Sequence, residues 1–384
     1  MANVTQNILP TSKLIANRAL SILKNTLLYR ELIFDDKSKD YSDQLGYNIG
    51  DTINVRHPSK FISKTFEGEV KKQNIENTTI PVRLQYIEDV TVALSAKEQN
   101  LDLQSYEEQI VEPAIYALVD KVDATIAYHI FQSALKIVSA DSAEPTNLKD
   151  ISSIGKYFDK AKAPLQNRHL VLSPDMKYRY ALTDALSKVS YAGTNVTLRD
   201  AQLGRVYGMN TYMSQNTPST TATKSGTAKG TFSIESSATP GEVKITELST
   251  PTATVKIGDG FCYNDKLYRF TADATGASST ISSVSVVDNN GNAFPEKVEK
   301  TSVKIVRGAS GIAFHKDAFA FVVKPLEKPM TSAVDYYVAT ANGLSIRVTR
   351  GYDFDRKTSV ISFDILFGVA TLRPELAVVL QDNF

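Results

Sequence analysis

Four histidines (His57, His129, His169 and His315), one cysteine (Cys262) and the closely spaced aspartates Asp353 and Asp355 are the side chains from which a chemical centre in this chain would be drawn. A transition-metal site needs three or four His, Cys, Asp or Glu ligands brought together, and the local signature is a pair at helical or tight-turn spacing. No two histidines stand three or four residues apart, and none has a cysteine nearby, so each reads as a packing or hydrogen-bonding residue. Asp120 and Asp123 lie too far back from His129 to complete a ligand pair with it. Cys262, between Phe261 and Tyr263, fits a small buried hydrophobe in a strand and has no nucleophile signature around it. Asp353 and Asp355 would share one face of a strand, an arrangement that suits acid and base in glycoside hydrolysis or a bound cation. The other reading is a charged turn before the last strand, neutralised by Arg356 and Lys357. Gly258-Asp259-Gly260 lacks the third glycine of a dinucleotide loop, and no Gly-Lys-Ser/Thr phosphate cradle occurs. Gly308-Ala309-Ser310-Gly311 is one residue short of a nucleophile elbow. The expectation is a protein that is not an enzyme, with no catalytic, cofactor-binding or metal site.

Composition narrows the partners. The 43 Lys and Arg against 42 Asp and Glu give a formal charge of +1, so the chain as a whole carries no electrostatic footprint for nucleic acid or an anionic membrane. Contact with DNA is expected to be weak. One cysteine excludes an internal disulfide framework and fits a reducing compartment. The segment from Met1 to Asn25 lacks the basic start and apolar run of a signal peptide, and no stretch reaches the roughly 20 apolar residues of a membrane helix. With 384 residues, 42% of them hydrophobic, the chain can bury a sizeable core in two or three folding units. Tryptophan is absent, which tells against a sugar-stacking surface built on indoles.

The elements that would position these residues follow from periodicity. Leu14, Ile15, Ala19, Ile22, Leu23 and Thr26 predict an amphipathic helix over Thr11 to Leu28, capped by Thr11 or Ser12 and packed either on its own core or on a neighbouring subunit. Residues 52–56, 80–84 and 90–94 alternate as strands. Between the first two, Lys60 to Thr79 is too polar for a core and reads as a long projecting hairpin, mobile in a free subunit. Ser105 with Glu108 forms a capping box, and Val111, Ile115, Leu118, Val122, Ile126 and Ile130 predict a spine helix of about 30 residues, about 45 Å long, starting or kinking at Pro113. From 141 to 217 short helical and strand signals alternate, with a buried strand at 169–172 ended by Ser173-Pro174 and a turn at Leu203 to Gly208. No large apolar side chain occurs between Met213 and Phe232, which marks a boundary. Short strands at 243–245, 255–257, 267–270 and 303–306 then predict an inserted all-β domain over 219–310, and the chain resumes with 318–323, 344–348 and 358–366.

Several stretches carry a resemblance. Gly50-Asp51-Thr52-Ile53-Asn54-Val55-Arg56-His57-Pro58 resembles the entry to the extended loop in the major capsid proteins of tailed bacteriophages with the Hong Kong ninety-seven type fold. Within that family the chain is most similar to short-tailed phage coat proteins that carry an inserted domain. Gly204-Arg205-Val206-Tyr207-Gly208-Met209 with Ser214-Gln215-Asn216 resembles the strand leading to the insertion. Ala313-Phe314-His315-Lys316-Asp317-Ala318-Phe319-Ala320 with Lys324-Pro325-Leu326-Glu327 resembles the return from it. Ile346-Arg347-Val348, Tyr352-Asp353, Gly368 and Arg373-Pro374-Glu375-Leu376-Ala377 resemble the family's ending.

The resemblance implies an α+β phage capsid fold with N-terminal arm, extended β-hairpin loop, long spine helix, peripheral and axial domains, and the inserted β domain. The corresponding division is an N-terminal arm at 1–45, extended loop and flanking strands at 46–95, peripheral domain with the spine helix at 96–140, and axial domain at 141–218. The inserted domain follows at 219–310, the continued axial domain at 311–340 and return strands at 341–384. The implied function is a major capsid protein that self-assembles into the icosahedral shell around a phage genome and undergoes procapsid maturation. Its implied partners are copies of itself in hexamers and pentamers, a scaffolding protein and a portal, with no membrane. Its implied location is the virion capsid, assembled in the host bacterial cytoplasm. No lysine or asparagine aligns as a covalent cross-link site. A phage tail or fibre protein remains the alternative, favoured by the Thr/Ser-rich insertion.

Overall fold

The computed structural model describes residues 12–35, 47–56, 79–94, 107–134, 136–139, 148–188, 203–218, 231–237, 239, 241–248, 254–255, 260–263, 266–288, 293–295, 298–306, 310–327, 334–341, 343–353 and 358–381. The chain forms two compact units: Met1–Asp123 with Phe319–Leu372, and Ala124–Ala318 with Arg373–Phe384. The chain thus changes unit at Asp123–Ala124, at Ala318–Phe319 and at Leu372–Arg373, whereas the sequence division kept 96–140 together, carried an axial segment on to 340 and kept 341–384 together. The extended-loop residues 60–78 and the aspartate Asp355 lie outside the described residues.

The first unit is built on β21 (Thr358–Thr371), a strand of 14 residues. One edge of β21 pairs with β4 (Tyr86–Leu94) from Ser359↔Leu94 to Phe367↔Tyr86. The opposite edge is shared by β20 (Leu344–Asp353) along the first half and β18 (Phe319–Lys324) along the second. Outside these lie β19 (Asp335–Ala341), antiparallel to β20, and β1 (Phe34–Asp35), parallel to β18. Over β19 and β20 packs α1 (Ser12–Thr26). The expected stripe is rotated: Ile15, Ala16, Ala19, Leu20 and Leu23 are buried, while Leu14 is 39% exposed. Helical spacing alone fits either face; the sheet selects the one carrying the small alanines, which allow close approach. A five-residue helix, α2 (Leu28–Leu32), follows.

A smaller cluster joins a two-stranded ribbon to this sheet. β2 (Thr52–Arg56) pairs antiparallel with β3 (Thr79–Arg83). Ile53, Val55, Val82 and Leu84 pack against Ala320, Val322, Leu326 and Leu366. A side chain at Gly368 would place its Cβ 2.4 Å from the Arg83 carbonyl oxygen, so glycine is what lets β3 cross β21 at this point.

The spine helix is shorter than its periodicity predicts. α3 (Glu112–Ser133) has 22 residues, about 33 Å at 1.5 Å per residue, and a π-helical turn over Glu107–Val111 precedes it. Pro113 has no N–H to donate and its ring would crowd the carbonyl four residues back, so it is accommodated in the first α turn. The predicted stripe, Val111, Ile115, Leu118, Val122, Ile126 and Ile130, is buried throughout.

The second unit holds a six-stranded sheet in the order β5–β22–β17–β6–β8–β7. Its strands are β5 (Lys136–Ser139), β6 (Arg168–Leu172), β7 (Arg205–Val206), β8 (Met209–Met213), β17 (Ser310–His315) and β22 (Ala377–Gln381). β6 and β22 are buried at every residue, as strands covered on both faces must be. α4 (Lys149–Lys160) buries Ile151, Ile154, Gly155 and Phe158. α5 (Pro174–Ala181) starts with proline, and the Ser173 side chain accepts from the Met176 amide at 3.3 Å, a standard N-cap. A single turn, α6 (Asp184–Ser187), follows.

Between β8 and β17, which flank β6 on its two sides, the chain builds a closed barrel in the order β10–β15–β13–β12–β16–β9. Its strands are β9 (Thr231–Ser236), β10 (Glu242–Thr246), β12 (Gly260–Tyr263), β13 (Lys266–Phe270), β15 (Ile281–Asp288) and β16 (Thr301–Val306). A two-stranded ribbon of β11 (Thr254–Val255) and β14 (Ala274–Thr275) accompanies it. Phe232, Ile234, Val243, Ile245, Phe261, Tyr268, Phe270 and Phe294 fill the interior.

Candidate functional site

Sheet pairing in the second unit brings together two histidines that stand far apart in sequence. β17 pairs with β6 so that Phe314 faces His169 and His315 faces Arg168. The His169 ring, 7% exposed, lies between Tyr212 at 5.8 Å and Phe314 at 6.1 Å, and its Nδ1 has no hydrogen-bond partner among the described residues. Burial, helped by His315 and Lys316, lowers its pKa from 6.5 to about 4, so it is neutral at pH 7. His315 accepts the Asp317 amide at Nδ1, at 3.2 Å, which leaves the proton on Nε2. Its pKa is also lowered, first by burial, although Asp317 acts the other way.

Beside them Arg168, 3% exposed, ties the end of α4 to β6. Its Nη1 donates to Asp159 Oδ1, its Nη2 to the Ala163 carbonyl and its Nε to the Pro164 carbonyl, each at 2.8 Å. All three nitrogens are satisfied, and the guanidinium also lies 5.6 Å from the Phe158 ring. Two neutral histidines and a saturated arginine have neither a free nucleophile nor a base aimed at open space.

His57 lies outside the described residues. His129 sits on α3, its pKa lowered by burial. Asp353 ends β20 opposite Thr358, the first residue of β21. Among the described residues no three His, Cys, Asp or Glu side chains cluster as metal ligands would, and no helix is long and apolar enough to cross a membrane. In the first unit, buried Asp123 accepts from the Leu28 and Tyr29 amides at 3.1 and 3.4 Å, capping α2. Burial raises its pKa to about 6.

What the second unit does present is exposed apolar surface. The Arg205 Nη2 donates at 3.4 Å to the carbonyls of Leu165 and Gly208, holding the 161–167 loop against the β7–β8 turn. There Leu165 is 68% and Tyr207 53% exposed. Tyr207 adopts a left-handed φ of 45°, with Gly208 at 79° completing the tight turn. A bulky residue held in that conformation marks a site where the chain accepts strain. An open cleft of about 570 Å³ lies alongside, lined by Ser152, Gly155, Lys156, Asp159, Lys160 and Tyr207. One helical turn apart, Tyr178 and Leu182 at the end of α5 are 58% and 80% exposed. Large apolar side chains left in water suit contacts with another macromolecule better than chemistry on a small one. The sequence marked the Leu203–Gly208 turn, but not which of its side chains face water.

No family model and no curated protein matches the sequence. Among solved structures the chain is similar to one from Mycobacterium phage Che8, with a TM-score of 0.52 and 12% identity over 92% of this chain and 91% of that one. Weaker overlaps are found with the capsid structure of cyanophage P-SCSP1u, at a TM-score of 0.46 and 11% identity over 94% and 89% of the chains. Another is with a virus-like particle from Pyrococcus furiosus, at 0.42 and 11% over 96% and 98%. The Che8 likeness runs along nearly the whole of both chains and shows a shared architecture of mixed helix and strand.

Proposed function

We infer that this chain is a major capsid protein, a structural subunit that assembles with copies of itself into the closed shell of a tailed phage. The observation that carries the reading is the match to the phage Che8 chain over 92% of this chain and 91% of that one, which leaves little room for an unrelated catalytic module. In this reading hexamers and pentamers of the chain form the wall. A scaffolding protein and a portal take part in assembly. Assembly occurs in the host bacterial cytoplasm, the virion capsid is the final location, and DNA is enclosed with weak contact only. The near-zero formal charge supports this, because hundreds of copies carrying a large like charge would repel one another.

Leu165 and Tyr207 are the candidate inter-subunit contacts in the axial region. Negative-stain microscopy and sedimentation of the protein, co-expressed with its neighbouring genes, test the function: closed megadalton shells support it, and filaments would make it a tail protein. In the same assay, Leu165→Ser with Tyr207→Ser should leave a folded subunit with shell yield reduced at least tenfold.

A further inference from the structure

Arg269 of the barrel and Phe131 of α3 make a cation–ring contact within the second unit. The guanidinium carbon lies 4.4 Å from the centre of the Phe131 ring, which is 2% exposed. Nε and Nη2 are shut off from solvent and have no hydrogen-bond partner among the described residues. Arg269 is on β13, the barrel strand that packs against β5, and Phe131 is in the last turn of α3, just before β5. We propose that the barrel is seated on the C-terminal end of α3 by a reversible latch, in which Arg269 closes over Phe131 without being bonded in place.

The comparison with Arg168 carries the argument. Arg168 donates from all three of its nitrogens to protein oxygens at 2.8 Å, so pulling it out breaks three bonds with nothing better waiting in water. Arg269 gives up water at two donor nitrogens and gets a ring face in return. A cation over a desolvated aromatic ring is attractive, but donors buried without acceptors cost about what hydrogen bonds would return, so the two effects oppose each other. Opening lets the guanidinium regain all its hydration. Burial also lowers the Arg269 pKa from its ordinary value, the same desolvation seen from the charge's side, and only the neighbouring Tyr128 acts against it. The barrel is also tied covalently to the sheet, since the chain leaves β8 and returns as β17 on either side of β6. A covalent tie to the sheet together with a contact of nearly balanced cost makes that contact a catch.

The chain has no tryptophan, so Phe131→Trp places a single indole in the catch, and tryptophan is also the best ring for a cation. With Arg269 present, indole emission should shift to the red at a lower urea concentration than the loss of far-ultraviolet circular dichroism. Arg269→Met in that background, which keeps an unbranched chain but removes the unpaired donors, should move the emission change up until the two transitions coincide. Coincident transitions with Arg269 in place, or an earlier emission change with methionine, would overturn the latch. If Phe131→Trp does not fold, hydrogen exchange of residues 127–134 in the natural chain and in Arg269→Met decides instead. Exchange at least threefold slower with methionine supports the latch, and unchanged or faster exchange rules it out. The measurements use unassembled subunits, so their outcome is separate from that of the shell reading.

Discussion

Protonating His169 would put a charge into a buried site where desolvation, His315 and Lys316 all act against it. Its folded pKa of about 4 lies below the ordinary 6.5, so between these values the unfolded chain binds the proton and the folded chain does not. This contribution to stability is complete above about pH 6.5 and lost as pH falls toward about 4, at a slope of up to about 1.4 kcal/mol per pH unit. Asp123 acts in the opposite sense: its folded pKa of about 6 exceeds the ordinary 3.8, so it favours the unfolded state as pH rises through that interval. The difference between the natural chain and His169→Phe isolates the histidine. In urea melts the natural chain should lose about 1 to 3 kcal/mol more than the variant between pH 7 and pH 5; parallel losses would discard the assignment. Arg168 offers a second check. Arg168→Ala leaves Asp159 and two carbonyls without their donor and should cost about 3 kcal/mol or more, while Arg168→Lys recovers only part of that because one ammonium cannot reach all three oxygens. Neither role is legible in the sequence. His169 and His315 are 146 positions apart, and only the register of β6 on β17 makes them neighbours.

At the scale of elements, what was legible is what repeats locally. The alternation at 52–56, 169–172 and 344–348 gave strands, and the three-to-four spacing from Val111 to Ile130 gave the spine helix. Of the two readings left open at Pro113, a start and a kink, the structure has the start, and the π turn before it is what capping and hydrophobic spacing do not register. The α1 face was misplaced because Leu14 and Leu20 are equally apolar and only the sheet beneath distinguishes them. That correction predicts a sharp asymmetry. Leu20→Ala, 7% exposed over β19 and β20, should cost about 2 to 4 kcal/mol, and Leu14→Ala about 1 or less, measured as shifts in the denaturation midpoint at constant slope. Gly368→Ala should cost at least as much as the former, because its Cβ would meet backbone at Arg83 and not the end of a side chain that can move.

For the whole molecule, the decisive feature is that a second fold sits between two strands of the first. The barrel's first and last strands, β9 and β16, pair with each other, Thr231 opposite Lys304 and Phe232 opposite Val303, so the ends of the segment lie about one strand spacing apart, roughly 5 Å. Such a segment can be placed between β8 and β17 without changing the sheet, whatever its own length. It closes on itself, so it has no open edge that must borrow pairing from the host, and its core is its own: the rings of Phe261, Tyr268 and Phe294 pack within 6 Å of one another. Its size puts it near the lower limit for a single hydrophobic core, where a cooperative fold is attainable but shallow. Residues 219–310 expressed alone should therefore give dispersed amide resonances and one cooperative melt, at a lower temperature than the intact subunit. Arg269→Met should not destabilise this fragment, since Phe131 is absent from it. A fragment without dispersion would mean that the barrel depends on α3 and β5 to fold, and the Arg269 contact would then be a fixed joint, because a catch can open without unfolding only if what it releases stands by itself.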